Sequence, residues 1–345
     1  MEHFYFYRSD AAISAGIVDY FEFAFQEAKR KEDCGKYSSA SQLRIALQHL
    51  RHFLKGRSLM LADLHPTLVA DFCDYLVSLR LSGGTVGLYI NALRGVYHRA
   101  VKEHLVMDSH PFSNLRFSKP STSQPVLSEK DMSRFITLSV KPCSWQWLTH
   151  RFCSCSYYLC GMPPVDLIRL RWSQIDLVHN RLIYNRQKTG HGAMLKLSRE
   201  AKTVLLEFRQ MYEHRHQLRQ QGWERCKCIC TWMDGFVFPF LGSSNRAETY
   251  HQLKNTERIM NHCLKKLGAK INLPHLSLYA FRRAWATTAY IDYKADMSDI
   301  SHGLGHANVR TTYLYIQQLD HTSFFHLQDK MMRGLRKRVE QLQTK

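Results

Sequence analysis

The sequence predicts a mainly α-helical protein of two domains, the second of which carries a small antiparallel β-sheet. Apolar residues recur at helical spacing in both halves of the chain, whereas one stretch near residues 175–197 shows the alternation typical of strands. A segment rich in Ser and Pro separates the two halves. The chain has 345 residues, of which 45% are hydrophobic and 12% aromatic, and this is enough to bury cores for about two domains of ordinary size.

The first predicted helix runs from Ser41 to Lys55 and separates an apolar face from a basic one. The apolar face contains Leu43, Leu47, Leu50 and Leu54. The stripe in the same register on the other face contains Arg44, Gln48, Arg51 and Lys55. One face is therefore expected to pack in a core, and the other is free to meet solvent or an anion.

Two further helices are predicted directly after it. The second begins at His65-Pro66, because Pro is favoured in a first turn, and ends at Ser82-Gly83-Gly84. Its inward positions are Leu68, Phe72, Tyr75 or Leu76, and Leu79. The third runs from Val86 to Lys102 with Thr85 as its N-cap. Its basic side carries Arg94, His98 and Lys102.

The charge balance indicates a polyanionic partner. Lys and Arg total 48 against 29 Asp and Glu, a formal net charge of +19, which exceeds what solubility requires. A basic stripe on a single helix is usually a solvated face, but two such helices in a chain of this charge favour phosphate contacts. Both stripes are therefore predicted to contact the phosphates of a polyanion.

The composition also excludes several classes of protein. No uncharged apolar run approaches the ~18 to 20 residues of a membrane span, and the first residues lack the basic-then-apolar order of a signal peptide. The ten cysteines are interpreted as reduced thiols, and Cys226-Lys-Cys-Ile-Cys230 as a buried thiol patch, because no second Cys pair follows to complete a zinc site. We expect a cytoplasmic, nucleoid-associated protein without a metal site or membrane contact.

A connector divides the chain after the helical first third. Between Phe117 and Ser128 lie two Pro and four Ser or Thr, with no apolar periodicity. The predicted domains are residues 1–117 and 129–345, joined by a linker at 118–128.

Helical patterns resume in the second domain at Glu129 and again after Ala247. Between them, Arg181-Leu-Ile-Tyr184 and Met194-Leu-Lys-Leu197 alternate on either side of Gln187-Lys-Thr-Gly190. This pattern predicts a small hairpin or three-stranded sheet. Trp145, Trp147 and Trp172 are expected to pack in the core of this domain.

The most informative segment lies near the C-terminus. Tyr279-Ala-Phe-Arg282 is followed about twenty residues later by Leu304-Gly305-His306, and Tyr315 comes nine residues after that histidine. This arrangement resembles the tyrosine recombinase (phage integrase) family, whose signature is an Arg in a His-x-x-Arg box, a Leu-Gly-His box, and a Tyr nine residues after its His.

Two further blocks resemble the same family. Gly161-Met-Pro-Pro-Val-Asp166 is similar to its first Arg box, and Arg186-Gln-Lys188-Thr-Gly190 is similar to the β-hairpin that carries its Lys. The N-terminal helices resemble its core-binding domain. The resemblance covers nearly the whole chain, and its style is closest to mobile-element integrases of Bacteroides-like bacteria.

The residue types suit the chemistry that the resemblance implies. Breaking a phosphodiester without metal or nucleotide cofactor requires an oxygen nucleophile, cationic donors and an acid. Tyr315 would attack the scissile phosphate and leave a 3′-phosphotyrosyl bond and a free 5′-hydroxyl. Arg282, a planar fork that stays charged, would hold two phosphate oxygens. His306 would donate to the same oxygens or assist the proton of Tyr315, and Lys188 would protonate the leaving 5′-oxygen.

Alternatives stand beside these assignments. Tyr313 carries the same hydroxyl but has the wrong offset from the Leu-Gly-His box, so we assign it to packing or a DNA backbone contact. Lys188 is otherwise a turn lysine. Arg283 follows Arg282, and either could be the phosphate fork, although the spacing of the box favours Arg282. Arg283 and Arg186 in the hairpin are expected to contact DNA.

The sequence departs from the family pattern in two places. The position of the first Arg, two residues after Gly161, is Pro163, and the alternative position before Gly161 is Cys160. Losing one charge-assisted donor costs about a hundred- to a thousand-fold in rate, unless a nearby residue replaces it. The candidates are Arg151, Arg169 and Arg171. The second departure is Tyr279, which stands where the family has His and can still donate to a phosphate oxygen.

The resemblance implies a C-shaped clamp of two domains around DNA. Asp166, which matches an acidic residue of the first box, is expected to orient Arg282 or His306. Because recombination joins two duplexes through four active sites, a homotetramer on DNA is expected, and an accessory DNA-bending or directionality protein is a further candidate partner.

Three classes of function remain open from the sequence. The leading one is a site-specific recombinase, acting as an integrase or invertase. The second is a DNA-binding protein of the same fold with weakened or lost cleavage. The third is a relaxase similar to type IB topoisomerases.

Overall fold

The computed structural model describes residues 18–113, 115, 117, 127–220, 235–241, 246–306, 308–317 and 331–333, without the side chains of 214–220, 246–247 and 314–317. Contacts divide the chain into two units, Met1–Thr122 and Ser123–Lys345. The architecture is mainly helical with one three-stranded sheet, which confirms the predicted fold class. Among the helices described, none is both long enough and apolar enough to cross a membrane.

The described part of the N-terminal unit packs four helices around one core. Helices α1 to α4 are Tyr20–Asp33, Tyr37–Phe53, Pro66–Ser78 and Gly83–Lys102. Leu43, Leu47 and Leu50 are buried, as their spacing predicts. The core also buries Tyr20, whose hydroxyl donates to the Leu93 carbonyl at 3.0 Å and so ties α1 to α4.

Helix boundaries in this unit differ from the prediction at three points. Ser82, and not Thr85, caps α4: its hydroxyl accepts the Thr85 N–H at 3.2 Å, and the glycines lie in the first turn of α4. Leu79 was predicted to point inward but is 42% exposed, because α3 has already ended at Ser78. Lys55 lies beyond the end of α2, with a positive φ of 52°.

The C-terminal unit contains helices α5 to α12 and strands β1 to β3. The helices are Glu129–Ile136, Trp145–Tyr158, Pro164–Ile168, Arg199–Gln220, Arg246–Ala269, Leu278–Ile291, Met297–Leu304 and Val309–Gln317. The strands are Ile175–Asp176, Arg181–Asn185 and Gly192–Lys196. Helix α6 lies at the centre and packs against α8, α9 and α10, which fixes α10 in the core.

The sheet holds the turn that carries the hairpin lysine. Its order is β1-β2-β3, all antiparallel, with Leu182 opposite Leu195 and Ile183 opposite Met194. Leu182 and Leu195 are buried while Ile183 and Met194 are exposed, so one face of the sheet lies on the core. The turn at residues 186–191 is therefore held at one end of a packed sheet.

The core of the C-terminal unit accounts for the tryptophans as well. Trp145, Trp147 and Trp172 are half-buried and pack against it, in agreement with the prediction. Cys226-Lys-Cys-Ile-Cys230 lies outside the described residues, so the prediction of a thiol patch there stays a prediction.

Candidate active site

Arg282 lies at the centre of a polar cluster in the C-terminal unit. It is on α10 and is only 5% exposed. Its Nη1 donates to the Gly161 carbonyl and its Nη2 donates to the Leu304 carbonyl, both at 2.8 Å. The guanidinium therefore joins the segment before α7 to the end of α11.

Gly161 allows this close approach. It has φ of +66°, and a Cβ at this position would lie 2.9 Å from the Arg282 Cα. A side chain here would both strain the backbone and push α10 away. The first Arg box thus contributes a glycine and a carbonyl to the site, although it contributes no Arg.

His306 contacts Arg282 directly. It follows Gly305, which ends α11 in the left-handed conformation. Its Nε2 lies 3.1 Å from Arg282 Nη2, and its Nδ1 lies 2.8 Å from Thr312 Oγ1. Because a guanidinium has only donors, Nε2 must accept, and we infer that the ring proton is on Nδ1 and is donated to Thr312.

The electrostatic surroundings keep His306 neutral. Burial is the largest cause, and the positive charges of Arg282, Arg186 and Lys188 add to it, so the His306 pKa falls to about 4. The imidazole is therefore uncharged at neutral pH, and its Nε2 lone pair accepts the Arg282 N–H.

Arg186, which the sequence predicts as a DNA contact, lies inside this cluster. Its side chain is 10% exposed, and its Nε lies 3.5 Å from Asp166 Oδ2. Its Nη1 donates to the carbonyls of Leu304 and Gly305. Gly305 leaves room for it, since a Cβ there would lie 2.5 Å from Arg186 Nη1.

Asp166 holds the hairpin turn, and the expectation that it orients Arg282 or His306 stays a prediction. It lies on α7 and its side chain is 3% exposed. Its Oδ1 accepts the backbone N–H of Gln187 at 3.0 Å, and its Oδ2 faces Arg186. The carboxylate therefore positions the turn that contains Lys188.

The remaining predicted residues of the unit surround the cluster. Lys188 is exposed in the turn, and its charge contributes to the lowered pKa of His306. Tyr279 precedes Arg282 by one turn of α10 and is 53% exposed; within the described structure its hydroxyl has no hydrogen bond to Arg282 or His306. Arg283 is half-buried on the same helix.

Tyr315 lies on α12, the helix that Thr312 anchors. Thr312 is fully buried, and Tyr315 follows it by three residues, so position 315 is on nearly the same side of the helix. Tyr313 is about 200° round the helix from position 315 and is 53% exposed. The side chain of Tyr315 lies outside the described part of the structure, so its role stays a proposal.

The predicted DNA contacts of the N-terminal unit fall into two groups. Arg44 forms an ion pair with Glu32 at 2.9 Å, and Arg94 donates to the Phe112 carbonyl at 3.1 Å. Both therefore have partners within the unit. The predicted residues with exposed side chains are Arg51, Lys55, His98 and Lys102.

The charges of the described cluster are mainly positive, which suits an anionic ligand. Among the described residues, no group of His, Cys, Asp and Glu has the arrangement of a metal site. The cluster instead combines Arg282, Arg186 and Lys188 with a neutral His306. Sequence reasoning missed Thr312, whose only signal was its place in Thr311-Thr312 between the His and Tyr boxes.

Comparisons with known proteins agree with this fold. Residues 18–117 match the phage integrase SAM-like domain, and residues 125–322 match the phage integrase family. No curated protein matches the chain significantly in sequence.

Two solved structures illustrate the similarity of fold. One is a Tn1549 transposon integrase in complex with a circular intermediate DNA, with a TM-score of 0.60 and 13% identity, covering 92% of this chain and 99% of that one. Another is a lambda integrase dimer bound to a COC′ core site, with a TM-score of 0.57 and 16% identity, covering 86% of this chain and 77% of that one. The family match itself spans more than half of the chain, and the protein therefore belongs to the phage integrase family, the tyrosine recombinases.

Proposed function

We propose that this recombinase cleaves and rejoins DNA at specific sites with Tyr315 as its nucleophile. The observation that carries the proposal is the direct contact between Arg282 and His306, next to a helix that Thr312 fixes to the same histidine. This contact supports the proposal because it brings together Arg282 as the proposed phosphate ligand, His306 as the proposed proton acceptor, and the helix that carries Tyr315.

The chemistry balances without an added cofactor. The Tyr315 hydroxyl oxygen attacks phosphorus, and the bond from phosphorus to the 5′-oxygen breaks. In this step Arg282 turns its Nη2 N–H from the His306 ring to a phosphate oxygen, and the freed Nε2 lone pair takes the proton of the hydroxyl. Lys188 gives a proton to the departing 5′-oxygen, and Arg282 stabilises the charge on the non-bridging oxygens. The Tyr279 hydroxyl, one turn away, is a further donor to these oxygens. Attack by the 5′-hydroxyl of a partner strand reverses the steps and reseals the DNA.

Double-stranded DNA is the proposed partner. The net charge of +19 and the exposed Arg51, Lys55, His98 and Lys102 support it, because phosphate neutralisation supplies much of the affinity for DNA. Arg283 is proposed as a further backbone contact. Exchange between two duplexes uses four active sites, so we propose a homotetramer on DNA, assisted by an accessory DNA-bending or directionality protein and associated with the nucleoid.

A second candidate function follows from the first Arg box. Pro163 has no side-chain donor. Cys160 carries a thiol that burial keeps neutral by raising its pKa. Neither residue therefore supplies a cation. A protein that binds its site but cleaves weakly or not at all is the corresponding alternative.

A nicked suicide DNA separates these functions. The protein would be incubated with such a DNA carrying the sequences that flank its own gene. A covalent protein–DNA adduct supports the recombinase, and a gel shift without an adduct supports the binding protein. Relaxation of supercoils without site preference would support a topoisomerase-like activity instead.

A further inference from the structure

The phosphate contact that the family's first Arg would make has to come from a residue outside the first Arg box. Of the three candidates from the sequence, Arg151 forms an ion pair with Glu207 at 2.7 Å. Arg171 stacks on the Phe236 ring at 4.3 Å from its centroid. Arg169 is half-buried, and burial lowers the pKa of its guanidinium while the negative charge of Asp166 acts in the opposite direction. None of these observations joins the three arginines to Arg282 or His306.

Arg186 meets the requirement. Its Nη1 and the Nη2 of Arg282 donate to the same carbonyl oxygen, that of Leu304. The two guanidiniums therefore converge on the end of α11, directly before His306. The charge of Arg186 is also felt by the His306 ring.

The anchoring of Arg186 leaves one nitrogen of its guanidinium, Nη2, without a hydrogen bond among the described residues. Nε faces Asp166 and Nη1 is held by two carbonyls, while Nη2 has no hydrogen bond to any residue that the structure describes. A planar guanidinium that is held at Nε and Nη1 presents its Nη2 donors in a set direction. This is the form of a preorganised ligand for a phosphate oxygen.

The charge distribution favours an anion at this point. Two guanidiniums that share one carbonyl repel each other, and Asp166 at 3.5 Å from Arg186 is a loose partner for a largely buried pair. The lysine of the turn adds a third positive charge. An incoming phosphate offsets this repulsion, so binding and charge stabilisation act on the same group.

We propose that Arg186 is a catalytic residue that replaces the missing first Arg by donating through Nη2 to a non-bridging oxygen of the scissile phosphate, beside Arg282. The inference rests on the proposed function. It assigns to the hairpin a second role beside the delivery of Lys188.

The test compares two substrates in single-turnover adduct formation. One suicide DNA carries the ordinary scissile phosphate, and the other carries a methylphosphonate there, which removes one negative oxygen. The variants are Arg186→Ala, Arg186→Lys and Arg169→Ala, with Arg171→Ala as the matched control. Gel shifts and urea unfolding confirm DNA binding and folding for each.

We expect Arg186→Ala to slow adduct formation on the phosphate by about a hundred- to a thousand-fold. On one diastereomer of the methylphosphonate the loss should shrink to within about tenfold of the wild type, because the charge that needs the cation is gone. Arg186→Lys should fall between, since it keeps the charge but loses the fork. The Arg186→Lys variant also tests the role of Arg186 if Arg186→Ala does not fold.

Three results would overturn the inference. One is a cleavage rate for Arg186→Ala close to that of the wild type. Another is an equal loss on both substrates by a folded Arg186 variant, which indicates a structural role. The last is a large loss of rate on the phosphate and a small one on the methylphosphonate in Arg169→Ala instead of Arg186→Ala. Absence of any adduct from the wild-type protein would instead refute the proposed function, and this inference with it.

Discussion

Thr312→Val removes the hydroxyl that holds His306 while keeping the shape of the side chain. In the structure Thr312 is fully buried, and its Oγ1 lies 2.8 Å from His306 Nδ1. Valine leaves that N–H without an acceptor, and the other tautomer would direct an N–H at the Arg282 guanidinium. Both outcomes are unfavourable, so the imidazole loses its fixed orientation.

The size of the effect follows from the hydrogen bond. An unsatisfied buried donor costs about 1–3 kcal/mol, and because His306 is only half-buried we expect the lower part, about 1–2 kcal/mol, in the free energy of unfolding. The same loss in the transition state slows adduct formation by about five- to thirty-fold. Urea unfolding and single-turnover cleavage of a suicide DNA measure the two quantities.

Two comparisons make this prediction specific. Thr312→Ser retains the hydroxyl and should restore most of the cleavage rate, whereas Thr311→Val alters the exposed neighbour and should change little. A cleavage rate of Thr312→Val equal to that of wild type would refute the reasoning. So would nitrogen chemical shifts placing the ring proton of wild-type His306 on Nε2.

Three further predictions follow from the same structure. Gly161→Ala should lower the free energy of unfolding by about 1–3 kcal/mol, because φ is positive at this position, and it should slow cleavage. The control is Gly95→Ala, whose added Cβ would have no atom within 4 Å and should not destabilise the protein. Equal midpoints of urea unfolding for the two variants would contradict this prediction. Below pH 6.5 the unfolded chain protonates His306 while the folded ring stays neutral to about pH 4, so the free energy of unfolding should fall as pH drops through that window. His306→Gln should make this pH-dependent fall in the free energy of unfolding smaller. A part of the fall should remain because burial also lowers the pKa of His150. A pH profile of stability that His306→Gln leaves unchanged would contradict the prediction. Lys102→Ala should make the plot of log DNA-binding constant against log salt concentration less steep by about one. Loss of the Arg94 side chain, which is hydrogen-bonded within its own unit, should mainly lower stability. A wild-type slope for Lys102→Ala in salt titrations would show that Lys102 does not contact a DNA phosphate.

Periodicity was sufficient to predict the helices that build the frame. Leu43, Leu47 and Leu50 repeat with the spacing of one helix face, and the structure buries them together. The glycines after Ser82 were misleading, because two adjacent glycines usually end a helix, while here the Ser82 hydroxyl starts the next one. Local propensity predicts a boundary at this point but does not say on which side of it the glycines lie.

The candidate site was predictable only in part. Fixed offsets in the sequence indicate Arg282, His306 and Tyr315, but they do not show what holds them. The partners of the two arginines are the carbonyls of Gly161, Leu304 and Gly305, and every residue carries a carbonyl, so the sequence contains no signal for them. Arg186 is separated from Leu304 by more than a hundred residues, and only the fold shows that the hairpin returns to α11.

The most direct test of the account is the identity of the residue that becomes joined to DNA. After reaction with a suicide DNA and nuclease digestion, mass spectrometry of the peptides should find the phosphonucleotide on Tyr315, through a 3′-phosphate. Tyr315→Phe should give no adduct, and Tyr313→Phe should still give one. An adduct on Tyr313, or one that survives in Tyr315→Phe, would contradict the central claim.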